Sequence, residues 1–167
     1  QAKRFVLVSS LGVYGTQSLK AGTVLDETVP IDPQPHLRDP YTYSKVIQDC
    51  VVREAGIQTE LPVVVVRPGV IIGPGRGVLS SRLGLQIGGS LIRMGGRQQL
   101  PYTYVDNCAN AIRSAGLMPG VEGEVFNVVD DDLPTAGGLL KMCRNVGQPV
   151  RSLWIPRPFI QPLAGVY

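Results

Sequence analysis

Short apolar runs alternate with amphipathic and glycine-punctuated stretches along this chain. Residues 4–10 (RFVLVSS) form a continuous apolar run that closes on small polar residues, the pattern of a strand buried on both faces. A polar stretch follows, and Pro30, Pro33, Pro35 and Pro40 forbid a long helix within it. Asp39-Pro40 supplies an N-cap and a proline for a first helical position. The spacing predicts a helix over 41–55, with Val46, Ile47, Cys50 and Val51 on its packed face and Gly56 as its stop. Residues 62–67 (PVVVVR) read as a second buried strand, running into Pro68-Gly69 and Gly73-Pro74-Gly75. A second helix is expected over 79–92, weakened by Gly84, Gly88 and Gly89. Residues 102–105 read as a short strand, and Asp106 as the N-cap of a helix ending at Gly116. A strand over 125–129, a helix from Thr135 to near Gly147 and a last strand over 150–155 complete the pattern.

Strand and helix alternate throughout, which implies right-handed βαβ units and a parallel sheet covered by helices, an α/β fold. Ligands of such sheets sit at the carboxyl ends of the strands, where Ser9-Ser10 and Pro68-Gly69 fall. With 167 residues the chain has room for one ordinary domain, and no internal repeat or linker divides it. Apolar residues make up 44% and charged residues 17%, which excludes a disordered chain. The net charge is +3 and the cations are scattered, so no nucleic-acid partner is expected. Cys50, Cys108 and Cys143 lie too far apart for a zinc knuckle or a disulfide framework. They read as reduced core thiols of a cytoplasmic protein. No apolar run approaches the roughly 20 residues of a membrane helix, and no signal peptide is expected. The chain starts at Gln1 and is inside an element by Lys3, so it reads as a piece of something longer.

Tyr41 and Lys45 carry the candidate chemistry. Spaced i, i+4, they share one helix face at the expected helix start. A nearby ammonium and a helix N-terminus both favour a phenolate, which lets a tyrosine act as a general acid or base. Ser10, at a neighbouring strand end, is placed to donate a hydrogen bond to a substrate oxygen. Tyr43 lies two residues before Lys45, on another side of the helix, and is set aside. His36 is the single histidine, so neither a histidine-based triad nor a metal site is expected. Asp130-Asp131-Asp132 reads as a solvated turn, and Trp154 with the tail IPRPFIQPLAGVY as a packing or substrate-side segment.

The series FVLVSS, LGVYG, PYTYSK, VVVVRPGVIIGPG and YTYVDNCANAI resembles the extended short-chain dehydrogenase/reductase superfamily. Its NAD-dependent epimerase/dehydratase and 3β-hydroxysteroid dehydrogenase branches are the most similar, over about residues 3–130. The resemblance implies a Rossmann-type doubly wound parallel sheet, here its carboxyl-terminal half with part of a small substrate lobe. The expected organisation is one partial NAD(P)-binding domain over 1–167, with substrate-lobe segments interleaved at about 76–102 and 131–167. Ser10, Tyr41 and Lys45 match the family's catalytic set, with Ser44 just before the lysine. The implied contacts to NAD or NADP come from Ser9, Tyr41, Lys45 and the stretch Arg67-Pro68-Gly69-Val70, whose backbone would lie along the nicotinamide. Implied substrate contacts are Leu11, Tyr14, Arg93 and Arg97.

Departures from the family pattern shape the expectation, in the cofactor site and in the substrate markers. No G-x-x-G-x-x-G turn precedes Ser10, so the pyrophosphate half of the cofactor site must come from a missing amino-terminal half or another chain. Leu11-Gly12 stand where the family's dehydratases place Asp-Glu, which argues against loss of water from the substrate. Leu100-Pro101 stand where sugar-nucleotide enzymes often carry a diphosphate-binding arginine. The expected function is therefore NAD(P)-dependent oxidoreduction, or epimerisation through a transient ketone, of a sugar nucleotide or sterol-like secondary alcohol. The expected partners are a small-molecule substrate, the missing half, and a second copy in a homodimer. A non-catalytic, dehydrogenase-like scaffold or nucleotide-sensing fragment is the alternative.

Overall fold

Six consecutive buried residues, Val63–Pro68, form the middle strand of a three-stranded parallel sheet. The structure, a computed structural model, describes residues 3–20, 22–75, 79–80, 83–93 and 98–155. In chain order the elements begin with β1 (Phe5–Val8), α1 (Pro40–Thr59), β2 (Val63–Pro68), β3 (Val70–Ile72), β4 (Leu85–Ile87) and β5 (Ser90–Arg93). They continue with β6 (Tyr102–Tyr104), α2 (Val105–Leu117), β7 (Val125–Val128), α3 (Ala136–Asn145) and β8 (Ser152–Trp154). These divide into two compact units, the first holding the chain to Ile71 with Thr103–Asp130, the second Ile72–Tyr102 with the chain from Asp131.

In the first unit the strands lie in the order β1-β2-β7, all parallel, with Val8 opposite Val66 and Pro68 opposite Val128. Successive side chains of a strand point to opposite faces. On one face Leu7, Val63 and Val65 pack with Val52 of α1; on the other, Val64 and Val66 pack with Ala115 and Ile112 of α2. That two-faced burial explains the unbroken valine run and agrees with the incomplete Rossmann-type α/β fold. Arg4 holds the far end of α2, donating to the Ala115 and Met118 carbonyls and to Glu122.

α1 departs from expectation in its packed face. Thr42, Val46 and Asp49 are buried, whereas Ile47, Cys50 and Val51 are exposed. The helical period holds, but two polar residues occupy it because their hydrogen bonds are made inside: Thr42 Oγ1 donates to Asp39, and Asp49 accepts from Ser9 and Arg67. Cys50 is therefore not a core thiol, while Cys108 and Cys143 are buried. α1 also runs past Gly56 to Thr59 and stops at Glu60, whose φ of 56° is left-handed. Gly56 has a different task. A Cβ there would lie 2.6 Å from Val63 Cγ2, so the glycine lets the helix approach β2.

At α2, Asp106 lies in the first turn but is not the cap. Asp130, arriving from beyond β7, accepts from the Tyr104 N–H at 2.9 Å, from Thr103 Oγ1 and from Asn107 Nδ2. The first of the three aspartates is thus a helix-start anchor rather than part of a solvated turn.

In the second unit the helix expected over 79–92 is replaced by a hairpin. β4 and β5 pair antiparallel through Gly88-Gly89, with Ile87 opposite Ser90, and β8 joins β5 in parallel. Both glycines have positive φ, 55° and 75°, the geometry of a two-residue turn that matches strand twist. α3 opens at Thr135, whose hydroxyl accepts from the Gly138 N–H, and buries Leu139, Leu140 and Cys143. Among the described residues no helix is long and apolar enough to cross a membrane, and no cluster of ligating side chains could hold a metal. The tail from Pro156 lies outside the described residues.

Gly56→Ala is expected to destabilise the chain by about 1–3 kcal/mol despite alanine's better helix propensity, because Val63 is stiff at χ1 and cannot yield. Adding Val63→Ala should remove the clash and bring the helix-propensity gain into view. Urea unfolding of the single and double variants checks this; a stabilised Gly56→Ala single variant would contradict it.

Candidate active site

The carboxyl ends of β1 and β2 and the first turns of α1 meet in one place. β1 ends at Val8, and Ser9 and Ser10 follow. Ser10 caps a short 3₁₀ turn over Leu11–Val13, its Oγ accepting from the Gly12 N–H at 3.1 Å. A Cβ on Gly12 would lie 3.4 Å from Ser10 Oγ and 3.7 Å from Thr42 Oγ1, so both hydroxyls border the same spot. The strand-end serine and the N-terminus of α1 are thereby brought together.

Asp39 caps α1 as its sequence predicts, accepting from the Thr42 N–H and hydroxyl, with Pro40 at the first helical position. Tyr41 follows, 59% exposed. One turn later Lys45 folds back over the sheet. Its Nζ donates to the Val8 carbonyl at 3.0 Å and to Gln48 Oε1 at 2.9 Å. An ammonium has three donors, so one remains. Ser44 donates to the Tyr41 carbonyl and stays on the helix surface.

Behind this rim lies a buried polar chain. Asp49, fully buried, accepts from Ser9 Oγ at 2.6 Å, from Arg67 Nε at 3.0 Å and from Arg67 Nη2 at 2.8 Å. Arg67 Nη1 donates to the Tyr14 hydroxyl, and the guanidinium lies 4.7 Å from the centre of that ring. Tyr14 in turn donates to Asn127 Oδ1 on β7. Burial by itself would lower the Arg67 pKa, but the bonds to Asp49 and Tyr14 outweigh it and hold the guanidinium above its ordinary value. The loop before α1 is tied to the same place: Glu27 accepts from the Asn127 N–H, and Asp32 N–H donates to the Val13 carbonyl.

Ser10, Tyr41 and Lys45 lie together at the end of β1 and the start of α1. The side chain of Arg67 turns inward to Asp49 and Tyr14, Val70 is half-buried, and the Gly69 N–H is already bonded to the Val128 carbonyl. Ser9 is buried on Asp49. Leu11 and Tyr14 are buried in a core cluster with Val13 and Val46, which leaves only their backbone for substrate. Arg93 lies at the end of β5 in the second unit, its Nε buried without a hydrogen-bond partner among the described residues. Arg97 lies outside the described residues. The role of Asp49 had no sequence signal beyond a charged residue one turn after Lys45.

The model of the NAD dependent epimerase/dehydratase family matches residues 1–128. No curated protein matches. Among solved structures, dTDP-glucose 4,6-dehydratase from Bacillus anthracis, in complex with NAD, superposes with a TM-score of 0.68 at 23% identity, over 92% of this chain and 49% of that one. UDP-glucuronic acid 4-epimerase from Bacillus cereus, in complex with NAD, gives 0.69 at 22% identity, over 92% and 50%. RMD from Pseudomonas aeruginosa, complexed with NADPH, gives 0.67 at 23% identity, over 93% and 54%. The chain thus spans about half the length of these structures.

The α1 cap yields a pH test. The hydroxyl and N–H of Thr42 hold the Asp39 carboxyl below its ordinary pKa of 3.8. A depressed folded-state pKa means the stabilisation is complete above that ordinary value and is lost as pH falls through the lower, folded one. Asp39→Ala should cost about 1 kcal/mol near neutrality. The gap to the unsubstituted chain should narrow steadily below about pH 4. Urea titrations across that range check it, and a gap independent of pH would contradict it.

Proposed function

This chain belongs to the NAD dependent epimerase/dehydratase family, and on that premise we propose that it carries the acid–base half of an NAD(P)-dependent oxidoreductase or epimerase. The reaction would oxidise a ring secondary alcohol, or invert it through a transient ketone. One observation carries the reading: Lys45 is docked on the Val8 carbonyl two residues before Ser10, with the Tyr41 hydroxyl exposed one turn earlier on the same helix. Tyr41 takes the proton of the substrate hydroxyl and returns it. Lys45 places a positive charge beside that phenol and has one donor left for a ribose hydroxyl. Ser10 orients the substrate oxygen.

These groups fit the nicotinamide-ribose end of a dinucleotide. Bound NAD or NADP would supply the hydride acceptor and donor at its nicotinamide ring. Among the described residues no strand leads through a glycine-rich turn into a helix, so the pyrophosphate end must be held by an amino-terminal half or another chain. Likeness to dTDP-glucose 4,6-dehydratase and UDP-glucuronic acid 4-epimerase supports a sugar nucleotide over a sterol. With Leu11 buried and Gly12 lacking a side chain, neither position offers an acid or base for removing water.

In the complete enzyme, Tyr41→Phe removes one hydroxyl from an exposed position, so the fold should survive. Turnover should fall by at least about 10²–10⁴-fold with little change in KM. The product of the unsubstituted enzyme should retain all its hydroxyl oxygens. Steady-state kinetics with product analysis test both statements. Near-normal turnover by Tyr41→Phe would overturn the mechanism, and a dehydrated product would overturn the reading of Leu11-Gly12.

A further inference from the structure

Two consecutive turns of α1 dock on two consecutive residues of the β1 end. Lys45 Nζ donates to the Val8 carbonyl at 3.0 Å, and Ser9 Oγ donates to Asp49 at 2.6 Å. The next residue is Ser10. A helix held at two points on a strand end cannot slide or rotate without breaking one of them, so the spacing from Ser10 to Tyr41 and Lys45 is set there. Asp49 is itself barred from proton transfer to substrate. Its carboxylate is fully buried and its oxygens accept three hydrogen bonds, one from Ser9 and two from Arg67. Arg67 neutralises it, so the anchor adds no net charge beside Lys45.

We propose that Ser9 and Asp49, braced by Arg67, are positioning residues for the acid–base set, fixing α1 on the β1 end so that Ser10, Tyr41 and Lys45 act at one distance. This rests on the function proposed above. The brace reaches further, since Arg67 holds the Tyr14 hydroxyl and Tyr14 holds Asn127 on β7. Three strand ends and the helix are thereby joined by one buried chain of hydrogen bonds.

Ser9→Ala tests the proposal with the least disturbance, because it deletes one hydroxyl and leaves the Asp49–Arg67 pair. In the complete enzyme, turnover should fall about 10- to 100-fold, the penalty of a misplaced reacting group, with KM unchanged within about twofold. The second readout needs neither cofactor nor activity. Hydrogen exchange at the Gly12 and Val13 amides, which bond to Ser10 Oγ and Ser10 O, should quicken at least about tenfold, the β2–β7 ladder being unchanged. The pair is probed with Asp49→Leu combined with Arg67→Met, which buries apolar groups in its place. That double variant should keep its melting temperature and still lose turnover. Wild-type turnover and exchange in Ser9→Ala, or full turnover in a stable double variant, would overturn the proposal. An unsubstituted enzyme without NAD(P)-dependent turnover would overturn the proposed function instead, leaving the exchange measurement to judge the anchor alone.

Discussion

A buried guanidinium–carboxylate pair constrains the first unit of this chain. Arg67 and Asp49 are 2% and 0% exposed at their side chains, and neither ion is stable there without the other. Losing one partner of such a pair costs about 3–5 kcal/mol, a large part of the roughly 5–15 kcal/mol that holds a domain together. The pair therefore dictates where its neighbours go. Ser9 must present its hydroxyl to Asp49, and Tyr14 must lie under the guanidinium with its oxygen on Nη1. α1 must put a charged residue, not Ile47 or Val51, against the sheet.

The candidate chemistry is a consequence of that arrangement. The valines of β2 bury both faces of the sheet and leave its carboxyl edge as the place where polar groups gather. Membership in the NAD dependent epimerase/dehydratase family and the shared fold with sugar-nucleotide enzymes fit this edge. The interior ions hold the elements, and in the proposed reading the rim residues Ser10, Tyr41 and Lys45 are the ones that meet ligands.

Local signals in the sequence were enough for β1, β2, β6, β7 and β8, the capped start of α1 and the tyrosine–lysine spacing, since each is written in neighbouring residues, whereas β3, β4 and β5 were not expected. Asp39-Pro40 marks the helix start, and the valine run marks the strand. The packed face of α1 was not legible. Asp49 is paid for by an arginine 18 residues away and Tyr14 by one 53 residues away, and no periodicity reports such partners. Arg67 read as a cofactor contact from its motif, while its side chain serves the interior. The β4–β5 hairpin was legible in principle: Gly88-Gly89 between two short apolar runs is a hairpin signal that outranks the helical spacing around it. Asp130 as the anchor of α2 could not be read, because its partners lie 23 to 27 residues earlier.

The dependence of the fold on the Asp49–Arg67 pair is tested most directly by a thermodynamic cycle. Unfolding free energies are measured for the chain, for Asp49→Leu, for Arg67→Met and for the double variant. The account predicts that each single replacement costs about 3–5 kcal/mol, that the double variant stays close to the unsubstituted chain, and that the coupling is therefore at least about 5 kcal/mol. Effects that simply add, to within about 0.5 kcal/mol, would contradict it.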